Sequence, residues 1–427
     1  MLNNLIFISP IFLIFSSIVI YVIEPENNIT WSLVFLCNVF YLIRFVRVIP
    51  IFLIFAFISL YTFEPYHFFV RKLYISHWVV YQDACHLNQA IILNGIFLVI
   101  FGSVLFNVNR DKIIDINSFI SKNNIIRNFL LASFFVVAHF SLSGETILEG
   151  GYGSSEVFKY PIFEYSLVLL VLALCYGEVN NSNRIIFGVA ASFFCIKSLL
   201  YGGRIEVLQC LFIYMYFFTN FFRTWSLKKL YISILTGFIF LTVIGAVRAD
   251  PERVVKLIEN PVSVLEAKKS DENDVVSSNY GDILQASARM IGLKDDGIWG
   301  LDFRTQSFFS YVFNIFLYGT EYKDYSNLAW IDQSNYGAGG GGYISSYFYV
   351  WVDWLGVVIS SFGLSIILRN SVTGRWNNDF VKVYGFMILV TFPRWYGYSP
   401  ISLVKICLIA AILHTVIKFF VNKIWKR

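Results

Sequence analysis

The chain is 427 residues long, 57% hydrophobic and only 14% charged, with 19% aromatic side chains. Soluble domains carry about 25% charged residues, so the composition excludes a soluble globular enzyme and predicts an all-α polytopic membrane protein with no separate soluble domain. The net charge of +5 comes mainly from basic loops and gives no reason to expect nucleic acid as a partner.

Apolar runs long enough for a span follow one another along the chain. In order they are Leu5 to Ile23, Ile29 to Ile43, Val48 to Phe63, Gln89 to Phe106, Phe129 to Leu142 and Tyr160 to Tyr176. Then come Ile185 to Leu200, Ile205 to Phe222, Leu230 to Val247, Tyr343 to Leu368, Phe380 to Trp395 and Ile401 to Phe420. That is about twelve transmembrane helices. The chain therefore divides into residues 1–247 with helices one to nine, residues 248–342 as one large outer loop, and residues 343–427 with helices ten to twelve. No basic residue precedes the first run, and no small-residue cleavage site follows it, so it reads as an uncleaved span. Of the six cysteines only Cys85 falls in an outer segment, which argues against a disulfide framework.

Lys and Arg set the orientation. With the N-terminus inside, the inner segments collect Arg44, Arg47, Arg110, Lys112, Lys122, Arg127, Arg223, Lys228, Lys229, Arg369 and Arg375. The short outer segments hold far fewer, so both termini are expected in the cytoplasm.

The outer loop carries helix signals of its own. Asp250-Pro251 and Asn260-Pro261 each pair an N-cap with Pro at the first helical position. Lys268 to Ser278 is polar. Tyr280 to Ile291 reads as an amphipathic helix carrying Asp282 and Arg289, and Asp302 is placed to cap the aromatic run Phe303 to Tyr318. A glycine run ending at Gly342 leads into span ten.

The outer face holds cations where the inside bias predicts few. Arg204 sits in the turn Tyr201-Gly202-Gly203-Arg204, Arg248 ends span nine, and Arg394 lies in Phe392-Pro393-Arg394-Trp395. Lys197 and Lys405 lie about one turn or slightly more inside the same face. Spans eight, ten and twelve run inward, so their N-termini face out, and they begin with Gly202-Gly203, with Gly342 and with Ser399-Pro400. Helix N-termini present unpaired N–H groups and partial positive charge, and glycine lets a ligand approach the backbone. The set fits an outward anion site. Taken singly, each glycine is explained by a tight turn and each arginine by contact with lipid headgroups. Asp353 lies inside span ten and needs a partner that the sequence does not name. Glu206 is expected to pair with a cation, and Asp295-Asp296 before Gly297 reads as a turn.

With these residues in place the chain resembles the Wzy-type oligosaccharide repeat-unit polymerases (O-antigen polymerases), which are similar in architecture to O-antigen ligases. The resemblance covers the layout of many spans with one large periplasmic loop late in the chain. Locally it rests on Gly202-Gly203-Arg204, on Trp354-Leu355-Gly356 after the glycine run, and on Arg394; it departs from the family at Asp353. It implies a bacterial inner-membrane glycosyltransferase of polysaccharide biosynthesis with its active site facing the periplasm. The implied donor is an undecaprenyl-diphosphate-linked oligosaccharide. A hydroxyl of a second lipid-linked repeat unit attacks the anomeric carbon, and polyprenyl diphosphate leaves.

In that role Arg204, Arg248 and Arg394 are the candidate catalytic residues. Arg289, Arg304, Lys197, Lys405, Gly202, Gly203 and Gly342 are the candidate substrate-binding residues. No cofactor and no metal are expected. Membrane lipids and a chain-length regulator protein are the further candidate partners. The general base stays open. So do two rivals, a ligase using the same donor and a flippase or transporter of the same lipid-linked glycan.

The orientation is testable. With single cysteines at Ser277 and Ser121 in a cysteine-free background, an impermeant thiol reagent should label only Ser277→Cys in intact cells with a permeabilised outer membrane. Labelling of Ser121→Cys alone would reverse the topology.

Overall fold

The computed structural model describes residues 2–73, 75, 83–108, 122–144, 146, 158–159, 162–178, 180–201, 203, 205–217, 228–229, 232, 236, 279–317, 320–337, 340–376 and 378–424. The chain is an all-α membrane protein with a two-residue β ladder. Among the described residues, five helical segments are long and apolar enough to cross a membrane: Ile49–Phe69, Ala84–Leu105, Ser182–Leu200, Ile344–Val372 and Leu403–Lys423. The chain folds as two compact units. The first is Met1–Ile113, Ala267–Thr373 and Thr391–Lys405, and the second is Ile114–Glu266, Gly374–Val390 and Ile406–Arg427.

The first unit opens with α1 (Leu2–Ile23), α2 (Thr30–Phe45), α3 (Ile49–Phe63), the single turn α4 (Pro65–Phe69) and α5 (Ala84–Leu105). Pro50 and Pro65 stand in the first turns of α3 and α4, where a missing N–H costs nothing. Asp83 caps α5 by accepting from Cys85 N at 3.0 Å. Direction follows from the pairs. Phe7 meets Phe106 at one end, while Tyr21 Oη donates to Gln89 Oε1 at the other, so α1 runs antiparallel to α5. Arg44, in the last turn of α2, donates to the carbonyl of Phe106, so α2 runs parallel to α5. Phe35 packs on Phe63 and Phe45 on Phe55, which makes α3 antiparallel to both.

Two glycines bring α2 and α5 together. A Cβ on Gly102 would lie 2.5 Å from ring carbons of the buried Tyr41. A Cβ on Gly95 would lie 3.0 Å from Val34.

A helical headpiece packs on this bundle. It consists of α10 (Asn279–Asp295), α11 (Leu301–Val312), α12 (Leu328–Tyr336) and the start of α13 (Ile344–Val372). The predicted amphipathic helix is α10, longer than expected and buried from Ile283 to Leu293 rather than on one face, because it packs on both α5 and α13. Gly300, not Asp302, stands at the N-cap of α11, and Asp302 falls in its first turn. Gly337 closes α12 in the left-handed region at φ 68°. The headpiece core is Met290, Leu293, Trp299, Tyr311, Leu328, Tyr347, Val350 and Trp351. Tyr311 stacks on Trp351 at 4.6 Å, and Trp351 Nε1 donates to Ser307 Oγ at 2.9 Å.

Span ten is not one straight helix. In α13, Val352 and Asp353 leave helical geometry. The break places the carbonyl of Phe348 against residue 356, where a Cβ would lie 2.3 Å from it, so only glycine fits. At ~1.5 Å per residue, residues 354–372 alone reach about 28 Å, close to the ~30 Å of a bilayer core. Leu355, Val358, Ile359 and Phe362 form their exposed stripe, while Gly356, Ser360, Ser361 and Ser365 are buried. The span thus begins at the break, and Asp353 stands at its end rather than in its middle.

The second unit contains α6 (Asn124–Phe140), α7 (Ile162–Tyr176), α8 (Asn181–Leu200), α9 (Ile205–Phe217), α14 (Asp379–Val390) and α16 (Leu408–Ile424), with the ladder Leu142–Ser143 against Phe158–Lys159. Asn123 caps α6 through Ile125 N and Ile126 N, and Asn180 caps α8 through Asn183 N. Tyr176 Oη and His414 Nδ1 lie 2.9 Å apart, tying α7 to α16. Lys418 reaches Asp379 at 2.5 Å, tying α16 to α14. Span eleven is interrupted at Thr391, which separates α14 from the short α15 (Phe392–Gly397) of the first unit. The predicted ninth span and the two Pro-initiated helices at Asp250 and Asn260 lie outside the described residues, apart from isolated positions at 232 and 236. All six cysteines are free thiols.

Gly102→Ala should destabilise the protein by about 1–3 kcal/mol through overpacking against Tyr41. Gly188, where a Cβ meets nothing within 4 Å, is the control. Thermal unfolding in detergent should fall for Gly102→Ala and hold or rise for Gly188→Ala.

Candidate functional site

The predicted site residues separate by unit. Gly202, Arg204 and Arg248 lie outside the described residues. In the second unit, Lys197 donates to the carbonyl of His139. Gly203 N donates to Ser198 O at 2.8 Å, closing the end of α8 on itself. Ser198 Oγ donates to Glu206 Oε2 at 3.2 Å. In the first unit lie Arg289 on α10, Arg304 on α11, Gly342 before α13, Arg394 on α15 and Lys405 in the π-helical turn Leu403–Cys407.

The first unit gathers several of these at one end of its bundle. Tyr61, near the end of α3, packs edge-on against Tyr280, Tyr343 and Tyr396. Gly341 lies between α10 and α15. A Cβ on Gly341 would lie 2.9 Å from Gly397 O and 3.1 Å from Ile283 Cγ1. One on Gly342 would lie 2.3 Å from Met290 Cε, next to Arg289. Gly341 also has φ 112°, a region that side chains avoid. Three residues after Arg394, the α15 turn therefore meets the backbone that leads into α13.

Arg289 is buried, and Tyr336 lies under its guanidinium at 5.2 Å. Its Nε lies 3.1 Å from Asp332 Oδ1, yet Nη1 is buried without a hydrogen-bond partner among the described residues. Ser345 Oγ and Ser346 Oγ, in the first turn of α13, are buried in the same state. A buried donor left unmade costs about 1–3 kcal/mol. Asp332 is fully buried with neither oxygen in a well-aligned hydrogen bond. Burial pushes its carboxyl up to about 7, with Arg289 pulling the other way.

A second cluster surrounds the break in α13. Lys294 Nζ reaches Asp353 Oδ1 at 2.6 Å and Asp295 Oδ1 at 3.1 Å, and lies 4.0 Å from the centre of the Tyr349 ring. Burial works against its charge, but contacts with Asp353, Tyr349 and Asp295 outweigh that and hold the ammonium above the ordinary lysine value. Tyr349 Oη donates to Asp295 Oδ1 at 3.2 Å, and Gln89 Nε2 donates to Asp295 Oδ2 at 3.1 Å. Arg304 Nη1 donates to Val350 O at 3.3 Å and lies 3.7 Å from Asp353 Oδ2. Asp353 itself has φ 56° and ψ −156°, a region used almost solely by glycine and costing about 1–3 kcal/mol for other residues.

Among the described residues no group of three or more His, Cys, Asp or Glu side chains is arranged to hold a metal ion. No family model, curated protein or solved structure matches this chain.

Sequence reasoning singled out Arg289, Arg304 and Asp353, and it missed Lys294 and Asp332. A lone acid inside a span was the signal that a partner existed. Nothing local marked Lys294 as that partner.

The Asp332 carboxyl, raised from an ordinary 3.8 to about 7, favours folding in its protonated form. Its contribution is full below about pH 4 and is lost as pH rises through about 7. Thermal midpoints in detergent should fall more steeply over this window in the unsubstituted protein than in Asp332→Asn. Parallel curves would show that Asp332 does not titrate there.

Proposed function

We propose that the protein polymerises lipid-linked oligosaccharide repeat units at the periplasmic face of a bacterial inner membrane. It has about twelve spans, both termini in the cytoplasm, and residues 248–342 in the periplasm. A glycan passes from undecaprenyl diphosphate to a sugar hydroxyl of a second lipid-linked unit. The new bond forms between that hydroxyl oxygen and the anomeric carbon, and the diphosphate leaves with the bonding electron pair. In the first unit Arg394 stabilises the charge that grows on the leaving group, Arg289 binds its phosphates, and Arg304 and Lys405 bind substrate. Arg204, Arg248 and Lys197 are separate candidates for contact with the same class of substrate. Guanidinium suits this task because it stays charged and offers donors in a fixed fork.

The observation that carries the reading is that Gly341 and Gly342 pack on the α15 turn after Arg394 and on Met290, the residue next to buried Arg289, whose Nη1 has no hydrogen-bond partner among the described residues. The sidedness of the unit supports it. Arg44 stands at the Phe106 end of α5, whereas Tyr61, Gln89 and Asp295 mark the other end. Arg44 and the Gly341–Gly342 entry to α13 thus stand at opposite ends of one bundle, which supports the reading.

Loss of the gene should abolish the long glycan ladder and leave single repeat units on their final acceptor. An acceptor bare of any unit, with precursor accumulating outside, would indicate a ligase, and precursor trapped inside would indicate a flippase. Arg289→Lys, Arg394→Lys and Arg204→Lys, at matched membrane abundance, should each cut polymerisation by about 10²–10³ if the donors act in the transition state. Near-normal ladders from all three would sink the guanidinium site.

A further inference from the structure

The break in α13 has a feature that folding alone does not explain. A break there is best made by glycine, since Asp353 occupies backbone geometry that glycine alone enters freely. Its ion pair with Lys294 is no strong reason to keep an acid, because the Asp353 side chain is 56% exposed and exposed pairs contribute little. The strained residue holds a half-exposed carboxylate at the end of a membrane span.

The surroundings define what the carboxylate can meet. Trp354, the next residue, is 41% exposed and stands edge-on to Tyr349 at 5.4 Å. Lys294 and Arg304 flank Asp353 on the headpiece side. Their charge is already matched by Asp353 and Asp295, so an added phosphate would face two carboxylates. What remains is an exposed aromatic face beside a fixed set of mixed acceptors and donors. A sugar ring matches that set: its C–H face lies on an aromatic ring, and its hydroxyls donate to carboxylate and accept from ammonium, guanidinium or amide.

We propose that Asp353 and Trp354, backed by Lys294, Asp295, Arg304 and Gln89, form a glycan-binding subsite that receives the acceptor sugar. Assigning the bound sugar as the acceptor rests on the polymerase reading, and the binding itself does not. Asp353 accepts a hydrogen bond from a sugar hydroxyl, and Trp354 supplies the stacking face. The strain at Asp353 is kept because it holds the carboxylate beside Lys294 and Arg304 while leaving it half exposed.

The test uses the full chain in lipid nanodiscs. The probe is the repeat-unit oligosaccharide released by mild acid from the host's own lipid-linked precursor. Asp353→Gly should unfold at the same temperature as the unsubstituted protein or higher, yet bind the probe about tenfold more weakly or worse. Trp354→Ala changes an exposed side chain, so it keeps the fold and should lose binding to a similar degree. No binding by the unsubstituted protein, or unchanged binding in Asp353→Gly, would overturn the subsite. Should Asp353→Gly fail to fold, unchanged binding by Trp354→Ala decides against it equally. Ladders separate the two readings. A deletion strain without ladder alongside a normal ladder from Asp353→Gly would remove the subsite and leave the polymerase. A deletion strain that keeps its ladder, with binding lost in Asp353→Gly, would do the reverse.

Discussion

A helix that enters a bilayer must satisfy its own backbone, because no water is there to do so. The break at Val352 and Asp353 violates that rule at the one place where it can be tolerated, the end of the span. It frees the Val350 carbonyl, and Arg304 Nη1 takes it. It also drives the Phe348 carbonyl toward residue 356, which is why the position is glycine. The headpiece follows from this constraint. Trp351, just before the break, is locked into the aromatic core by Tyr311 and Ser307, and Trp354, just after it, is left in the open. One residue pair thus divides a single helix into a packed half and a spanning half.

Most helices were legible in the sequence because apolar length and Asn or Asp caps act locally. Asn123, Asn180 and Asp83 each serve the helix that follows them. The break was not legible, since the apolar run resumes directly after Asp353 and nothing in its pattern marks a change of direction. Trp354-Leu355-Gly356 was visible as a motif, but its physical reason is a carbonyl eight residues upstream. The burial of α10 was hidden for a related cause. Its sequence is too polar for a core helix, and only its neighbours α5 and α13 make it one. Ion pairs are the least legible feature of all. Lys294 and Asp353 come from separate helices, and chain order does not announce that they meet.

Two acids of the headpiece receive opposite treatment. Asp332 is sealed from solvent beside Arg289, and its charge is disfavoured there. Asp353 keeps solvent on one side and a lysine on the other. The sealed pair is in the worse electrostatic position, since removing one partner of a buried pair strands the other. It also carries the buried unpaired guanidinium nitrogen. The open pair carries backbone strain instead. In both places stability is given up at a charged group.

Gly95 sits over Val34 and Gly102 over Tyr41, so both helices repeat their contact after seven residues and in the same direction. That is a toothed rack rather than a smooth rail. Sliding α5 by a single turn would drive the Tyr41 ring out of its notch and into a side chain, and Tyr41 is further pinned by its bond to Val99 O at 3.1 Å. Axial gliding of these two helices is therefore blocked, and motion in this part of the bundle is limited to rotation or separation. A carrier that shuttled its cargo by sliding α2 against α5 would have to strip those teeth on every cycle. A fixed wall of this kind suits a molecule whose substrate comes to it along the membrane and leaves by the same side.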